Sequence, residues 1–93
     1  MTVGIVTIEL FIHQANSLKD KRMVLESLKK RMRNNFNVAV TQIDEEDKWQ
    51  RSRLAIATVS AARSGADSML NRLINFIEKD DRLDIIDYEM ELI

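Results

Sequence analysis

Ninety-three residues with no cysteine, no proline and only two glycines allow one domain over 1–93. They exclude a disulfide framework, a thiolate metal centre and a glycine-rich phosphate loop. At 45% hydrophobic and 31% charged the chain is globular rather than disordered. Its formal net charge of −1 conceals a split, with seven Lys/Arg against three Asp/Glu in 1–36 and three against eight in 64–93.

In chain order, residues 3–13 are rich in β-branched side chains, with Val6, Ile8, Leu10 and Ile12 on one face and Ile5, Thr7, Glu9 and Phe11 on the other. This predicts a central strand, because even its second face is partly apolar. Ser17 with Asp20 three residues on predicts a helix start. At 3.6 residues per turn Leu18, Leu25, Leu28, Met32 and Phe36 share a stripe with Val24 at its edge, and Asn34-Asn35 suits a left-handed helix end. Residues 38–43 and 54–59 read as two strands joined by a hairpin. Ser64 and Asp67 repeat the capping pattern before a stripe of Ala66, Met69, Leu70, Leu73, Ile74 and Ile77. Asp80-Asp81 reads as a turn, and 83–93 alternates as a last strand.

The order is βαββαβ. Right-handed crossovers place both helices on one face of a four-stranded antiparallel sheet, a ferredoxin-like two-layer α+β sandwich. The other sheet face is then bare, and Ile5, Phe11 and Tyr88 are expected on it. A homodimer or another protein would cover such a face, although scattered surface hydrophobes are an equally good account.

Most chemistry hosted by this architecture leaves marks that are missing here. His13 is the one histidine, so no Ser/His/Asp or Cys/His triad can be assembled, and a strand-end histidine is expected to be structural or solvent-facing. At 5% aromatic residues, base stacking cannot be the main source of affinity for RNA. Asp44–Asp47 gathers four carboxylates that suit Mg²⁺ or Ca²⁺ by ligand type but match no EF-hand spacing; with Lys48 and Arg51 beside them, a solvated turn is the preferred reading. No catalytic residue, cofactor or metal is assigned, and the chain is read as a cytoplasmic non-enzyme without a leader or a membrane span.

The positive charge is concentrated on the first helix. Lys19, Arg22, Lys29, Lys30 and Arg33 fall along one flank and Arg31 on the other, while Lys21 projects into the apolar stripe and must snorkel or meet a carboxylate. An ordinary solvated face, aided by the Arg22–Glu26 and Glu26–Lys30 spacings, is the plain account of these residues. The functional account is contact with RNA phosphates through Lys19, Lys21, Arg22, Lys29, Lys30 and Arg33, with Arg51 and Arg53 as outliers.

Three segments carry a resemblance: Ser17-Leu18-Lys19-Asp20-Lys21-Arg22, Phe36-Asn37-Val38-Ala39-Val40, and Asp44-Glu45-Glu46-Asp47-Lys48-Trp49-Gln50-Arg51. In that order and spacing the chain resembles the YlxP-like family of small bacterial proteins of unknown function, over essentially its full length. The resemblance implies a ferredoxin-like fold and, since members are often encoded near transcription-elongation and translation-initiation factors, an RNA- or ribosome-related role. It brings no catalytic residues. The chain departs from the family pattern at Gln42, where an acidic residue is common. Trp49 is expected to pack as an anchor, the alternative being a surface for stacking a base or clasping a second subunit.

Overall fold

The computed structural model describes residues 1–43 and 50–93. It contains β1 (Thr2–Phe11), α1 (Leu18–Asn35), β2 (Ala39–Gln42), β3 (Arg51–Ser60), α2 (Arg63–Glu78) and β4 (Asp84–Leu92), the order expected from the sequence. The strands form one antiparallel sheet in the order β2-β3-β1-β4, which puts β1 at its centre as predicted.

Alternation along β1 drives the layering. Val6, Ile8, Leu10 and Ile12 are completely buried, as are Leu54 and Ile56 of β3 opposite them. Against this face α2 contributes Ala66, Leu70, Leu73, Ile74 and Ile77, and α1 contributes Leu25, Leu28 and Met32. Leu18 does not join the stripe: it opens the helix and is 37% exposed, because the first turn lies beyond the end of the core. Thr58 adds a polar pin inside the layer. Its buried hydroxyl donates to the Asn37 carbonyl at 2.8 Å, tying the approach to β2 onto β3, and also lies 3.0 Å from Met69 Sδ.

The helix ends follow the sequence signals only in part. Ser17 is extended and its Oγ accepts from Asp20 N–H at 3.1 Å, while the Asp20 carboxylate accepts from Asn16 N–H at 3.1 Å, a capping box reaching one residue further back. Ser17→Ala should therefore cost about 1 kcal/mol in urea unfolding, and an unchanged midpoint would show that this cap is dispensable. At the other end no described non-glycine residue has positive φ, so Asn34-Asn35 makes no left-handed cap. Instead Phe36 turns extended, its N–H still bonded to Met32 O, and its ring meets Phe76 edge-on at 5.4 Å. Helix α2 also starts earlier than Ser64–Asp67 suggested: Ala62 is its N-cap without a side-chain bond, and Ser60 Oγ holds Ala62 N–H at 3.3 Å. The short link after β3 leaves no room for a cap at Ser64.

The last strand contains a bulge. Glu9 opposes Asp87 but Leu10 opposes Ile85, so Ile86 is an extra residue and the side-chain parity switches there. Asp84 and Ile85 face out and in; beyond the bulge Asp87, Glu89 and Glu91 face out with Glu9, Thr7 and Ile5, while Tyr88, Met90 and Leu92 take the parity of Ile8, Val6 and Gly4. Tyr88 therefore belongs to the rim of the helix-covered side rather than to the bare face. Ile5 and Phe11 do lie on the bare face, partly covered.

Candidate nucleic-acid interface

Helix α1 presents four sides, and each sorts its basic residues differently. The core side holds Leu25, Leu28, Met32 and Lys21, and Lys21 is only 2% exposed. Its side chain occupies the stripe position read from the sequence and is not without a partner. Among the described residues no buried side-chain nitrogen or oxygen lacks a hydrogen bond. Lys21 is thereby withdrawn from direct phosphate contact. Gln42, where the resemblance leads to the expectation of an acidic residue, sits with Lys21, Arg22, Leu18 and Leu25 around one small recess.

The flank toward the sheet edge carries Arg22, Lys29 and Arg33, since α1 packs over β2. Lys29 Nζ reaches Glu26 Oε1 at 2.6 Å, and its side chain is only 14% exposed. Glu26 is accordingly held below the usual carboxylate range, first by the hydrogen bond from Lys29 and then by that charge, with Arg33 adding to it. Arg33 Nη2 donates to the Val40 carbonyl at 3.1 Å, covering one acceptor on the free edge of β2. Its other donors stay in solvent.

The outward side holds Lys19, Met23 and Lys30, all exposed, with Arg22 and Arg33 at its margin, also exposed. From Lys19 to Arg33 this row runs about 21 Å along the helix. The remaining flank, with Asp20, Ser27 and Arg31, is engaged elsewhere. Arg31 Nη1 donates to Asp80 Oδ2 at 3.1 Å and its guanidinium lies 5.2 Å above the Phe76 ring.

Arg51 and Arg53 do not join this surface. Their register with Phe11 and Glu9 puts them on the bare sheet face, opposite the helices, and Arg51 Nη1 lies 3.6 Å from Glu9 Oε1. Trp49 and the Asp44–Asp47 cluster fall outside the described residues. Among the described residues no group of three acids or histidines is placed to hold a metal, and His13 Nε2 stands 3.8 Å from Asp84 Oδ2 at the end of the sheet. No helix among them is long and apolar enough to cross a membrane.

The geometry thus reduces the eight basic residues predicted from sequence to one exposed row of Lys19, Arg22, Lys30 and Arg33. Sequence reasoning missed Glu9 as the acidic partner on the bare face. The signal was present in the alternation of 3–13, which places it beside Phe11, but the strand opposite was needed to make the pair.

Comparisons with known proteins agree with the fold and the family resemblance. Residues 3–90 match the profile of a family described as Protein of unknown function (DUF503). The chain is 40% identical over 76 residues to the Uncharacterized protein YlxP of Bacillus subtilis (strain 168), covering 82% of this chain and 83% of that protein. Among solved structures it is similar to a de novo designed protein with ferredoxin fold determined by solution NMR, with a TM-score of 0.55, 15% identity, and coverage of 98% of this chain and 86% of that one. At that identity the likeness is one of fold alone.

Proposed function

We propose that this chain, which belongs to the DUF503 family, is a non-enzymatic cytoplasmic domain that binds RNA, on the ribosome or bound for it, through the outward row of α1. The supporting observation is the exposed row of Lys19, Arg22, Lys30 and Arg33 on a helix backed by a sheet whose far side carries Asp87, Glu89 and Glu91. A field oriented in this way brings a polyanion to the helix and repels it from the sheet, so a net charge of −1 is no obstacle. Contact with phosphates by four groups is independent of base sequence, and it suits a chain poor in stacking aromatics.

The expected salt dependence is a slope of about −3 in log K against log salt for four contacts on single-stranded RNA. Reversing Lys19, Arg22 and Lys30 to Glu should abolish co-sedimentation with ribosomal subunits at low salt. Reversing Arg63, Arg72 and Lys79 to Glu, three exposed cations outside α1 and so a change of the same size, should leave it intact. Normal binding by the triple variant would rule out α1 as the contact surface.

A further inference from the structure

The bare sheet face is patterned in both polarity and charge. From the register, β3 presents Arg51 and Arg53 at one end and Ala55, Ala57 and Val59 toward the other; beside it β1 presents Phe11 and Glu9, then Thr7, Ile5 and Val3. The outer row on β4 is acidic. Over the small residues Ala39, Ala55 and Ala57 the face dips into a shallow apolar depression of about 220 Å³ that Ile5 also lines.

We propose that a second copy of this chain covers this face through a two-fold axis parallel to the strands and passing between β1 and β3. This proposal is independent of the RNA reading. The charge pattern selects both the occupant and the axis. Rotation about that axis lays β3 of one copy on β1 of the other, at the same height along the strands. Arg53 then meets the partner's Glu9, Arg51 meets the partner's Phe11, and the apolar ends coincide. A two-fold across the strands would instead set the acidic row of β4 against itself, which costs several kcal/mol for like charges. The face therefore contains both halves of its own complement, as an isologous interface requires.

Glu9 and Arg53 are already cross-strand neighbours within one chain. Stacking two copies gives Arg53 a second opposite charge and Glu9, already beside Arg51 and Arg53 of its own chain, a third, and an arginine has donors enough for both of its carboxylates. Three strands of nine or ten residues and the short β2 give a flat footprint of about 500 Å² per copy, about 1,000 Å² for the pair, which reaches the lower bound of a specific interface. In the dimer the carboxylates of β4 lie at the rim over the short β2 of the partner, free to turn toward water. Both α1 helices point outward, on opposite sides of the assembly.

Mixing two charge-reversed variants provides the test. By sedimentation equilibrium at about 100 µM, the wild-type chain is expected at twice its 10.8 kDa mass. Arg53→Glu alone and Glu9→Arg alone should each self-associate at least tenfold more weakly, because their interfaces pair like charges. An equimolar mixture should regain the dimer, since both intermolecular contacts become opposite again while each chain's internal repulsion is unchanged. Recovery on mixing also shows that both variants are folded. A monomeric wild type overturns the proposal and leaves the face to a different protein or to none. A dimer unaffected by either reversal overturns it by placing the contact elsewhere, such as the free edge of β2. Failure of the mixture to recover overturns the two-fold pairing.

Discussion

Gly4→Val is expected to destabilise the protein by about 3 kcal/mol or more, while Gly4→Ala should cost about 1 kcal/mol or less. Position 4 lies on the inward face of β1, between Thr58 and Leu92. A Cβ built there would stand 2.9 Å from Leu70 Cδ1, 3.3 Å from Thr58 Cγ2 and 3.4 Å from Ala66 Cβ. The backbone is not in a left-handed conformation, so the requirement is for space rather than φ. Glycine at this place lets α2 approach β1 closely, with the small side chain of Ala66 fitted over it. The first carbon of alanine asks Leu70 to yield by a few tenths of an ångström. Leu70 is completely buried and has no solvent-facing rotamer to retreat into. Part of the alanine cost is offset, because glycine loses more backbone freedom on folding, by roughly 0.5–1 kcal/mol. Valine adds two further methyl groups with one preferred χ1, and these meet Leu70 or Thr58 whichever way they turn. Urea unfolding of the three chains would measure the difference. A valine variant no worse than the alanine variant would mean that α2 shifts freely over the sheet, contrary to the close packing at Ala66.

How much of this was legible in the sequence depends on whether the determining contact is local. The period-2 pattern of residues 6–12 and the 3.6-period stripes of both helices report burial residue by residue, so the core and its layering could be read directly. Leu18 was misplaced because periodicity says which way a side chain points and not how far the core extends. The α2 start was misread for a related reason. Ser64 and Asp67 carry the cap chemistry, but Ser60 at the end of β3 reaches Ala62 first and the helix is under way before Ser64. In β4 the adjacent Ile85 and Ile86 break strict alternation, and this was the visible trace of the bulge that turns Tyr88 inward. For the candidate interface, composition and helical projection gathered the basic residues but not their partners. Lys29, drawn down onto Glu26, leaves the row, whereas Arg33 spends one donor on Val40 O and keeps its others in solvent. Arg51 and Arg53 could be set on the opposite side only once β3 had a register with β1. The Arg31–Asp80 contact spans 49 positions in sequence and leaves no spacing signal.

That long-range contact carries the second large expected effect. Asp80 is buried in the turn between α2 and β4 and its carboxylate is gripped from both sides. Arg82 donates through Nε at 2.9 Å, Nη2 at 2.6 Å and its backbone N–H at 3.0 Å, and Arg31 of α1 donates through Nη1 at 3.1 Å. Arg82 also reaches Ser27 Oγ at 3.3 Å. The turn is thereby fastened to α1 at two points a helical turn apart. The hydrogen bond from Arg82 leads in holding the Asp80 carboxyl down to about 2, against the opposing effect of burial, with the Arg82 backbone N–H and the charges of Arg82 and Arg31 adding to it. A depressed folded-state pKa means that the stabilisation is fully present above the unfolded value near 3.9 and is lost as pH falls through about 2. A shift just short of two units corresponds to at most about 2.5 kcal/mol. The two guanidinium groups are 46% and 29% exposed, so solvent screening brings the contribution to about 1–2 kcal/mol. Asp80→Asn, which keeps the shape and an acceptor oxygen, should lose about that much at pH 7. Asp80→Ala should lose about 2–3 kcal/mol, because the partners of a buried charge are also left unsatisfied. The wild-type advantage over the asparagine variant should halve by about pH 3 and vanish near pH 1.5, read as the difference between their urea midpoints across the acid range. An advantage that stays level through that window would show that the clamp holds by shape and neutral hydrogen bonds, with no contribution from the carboxylate's charge.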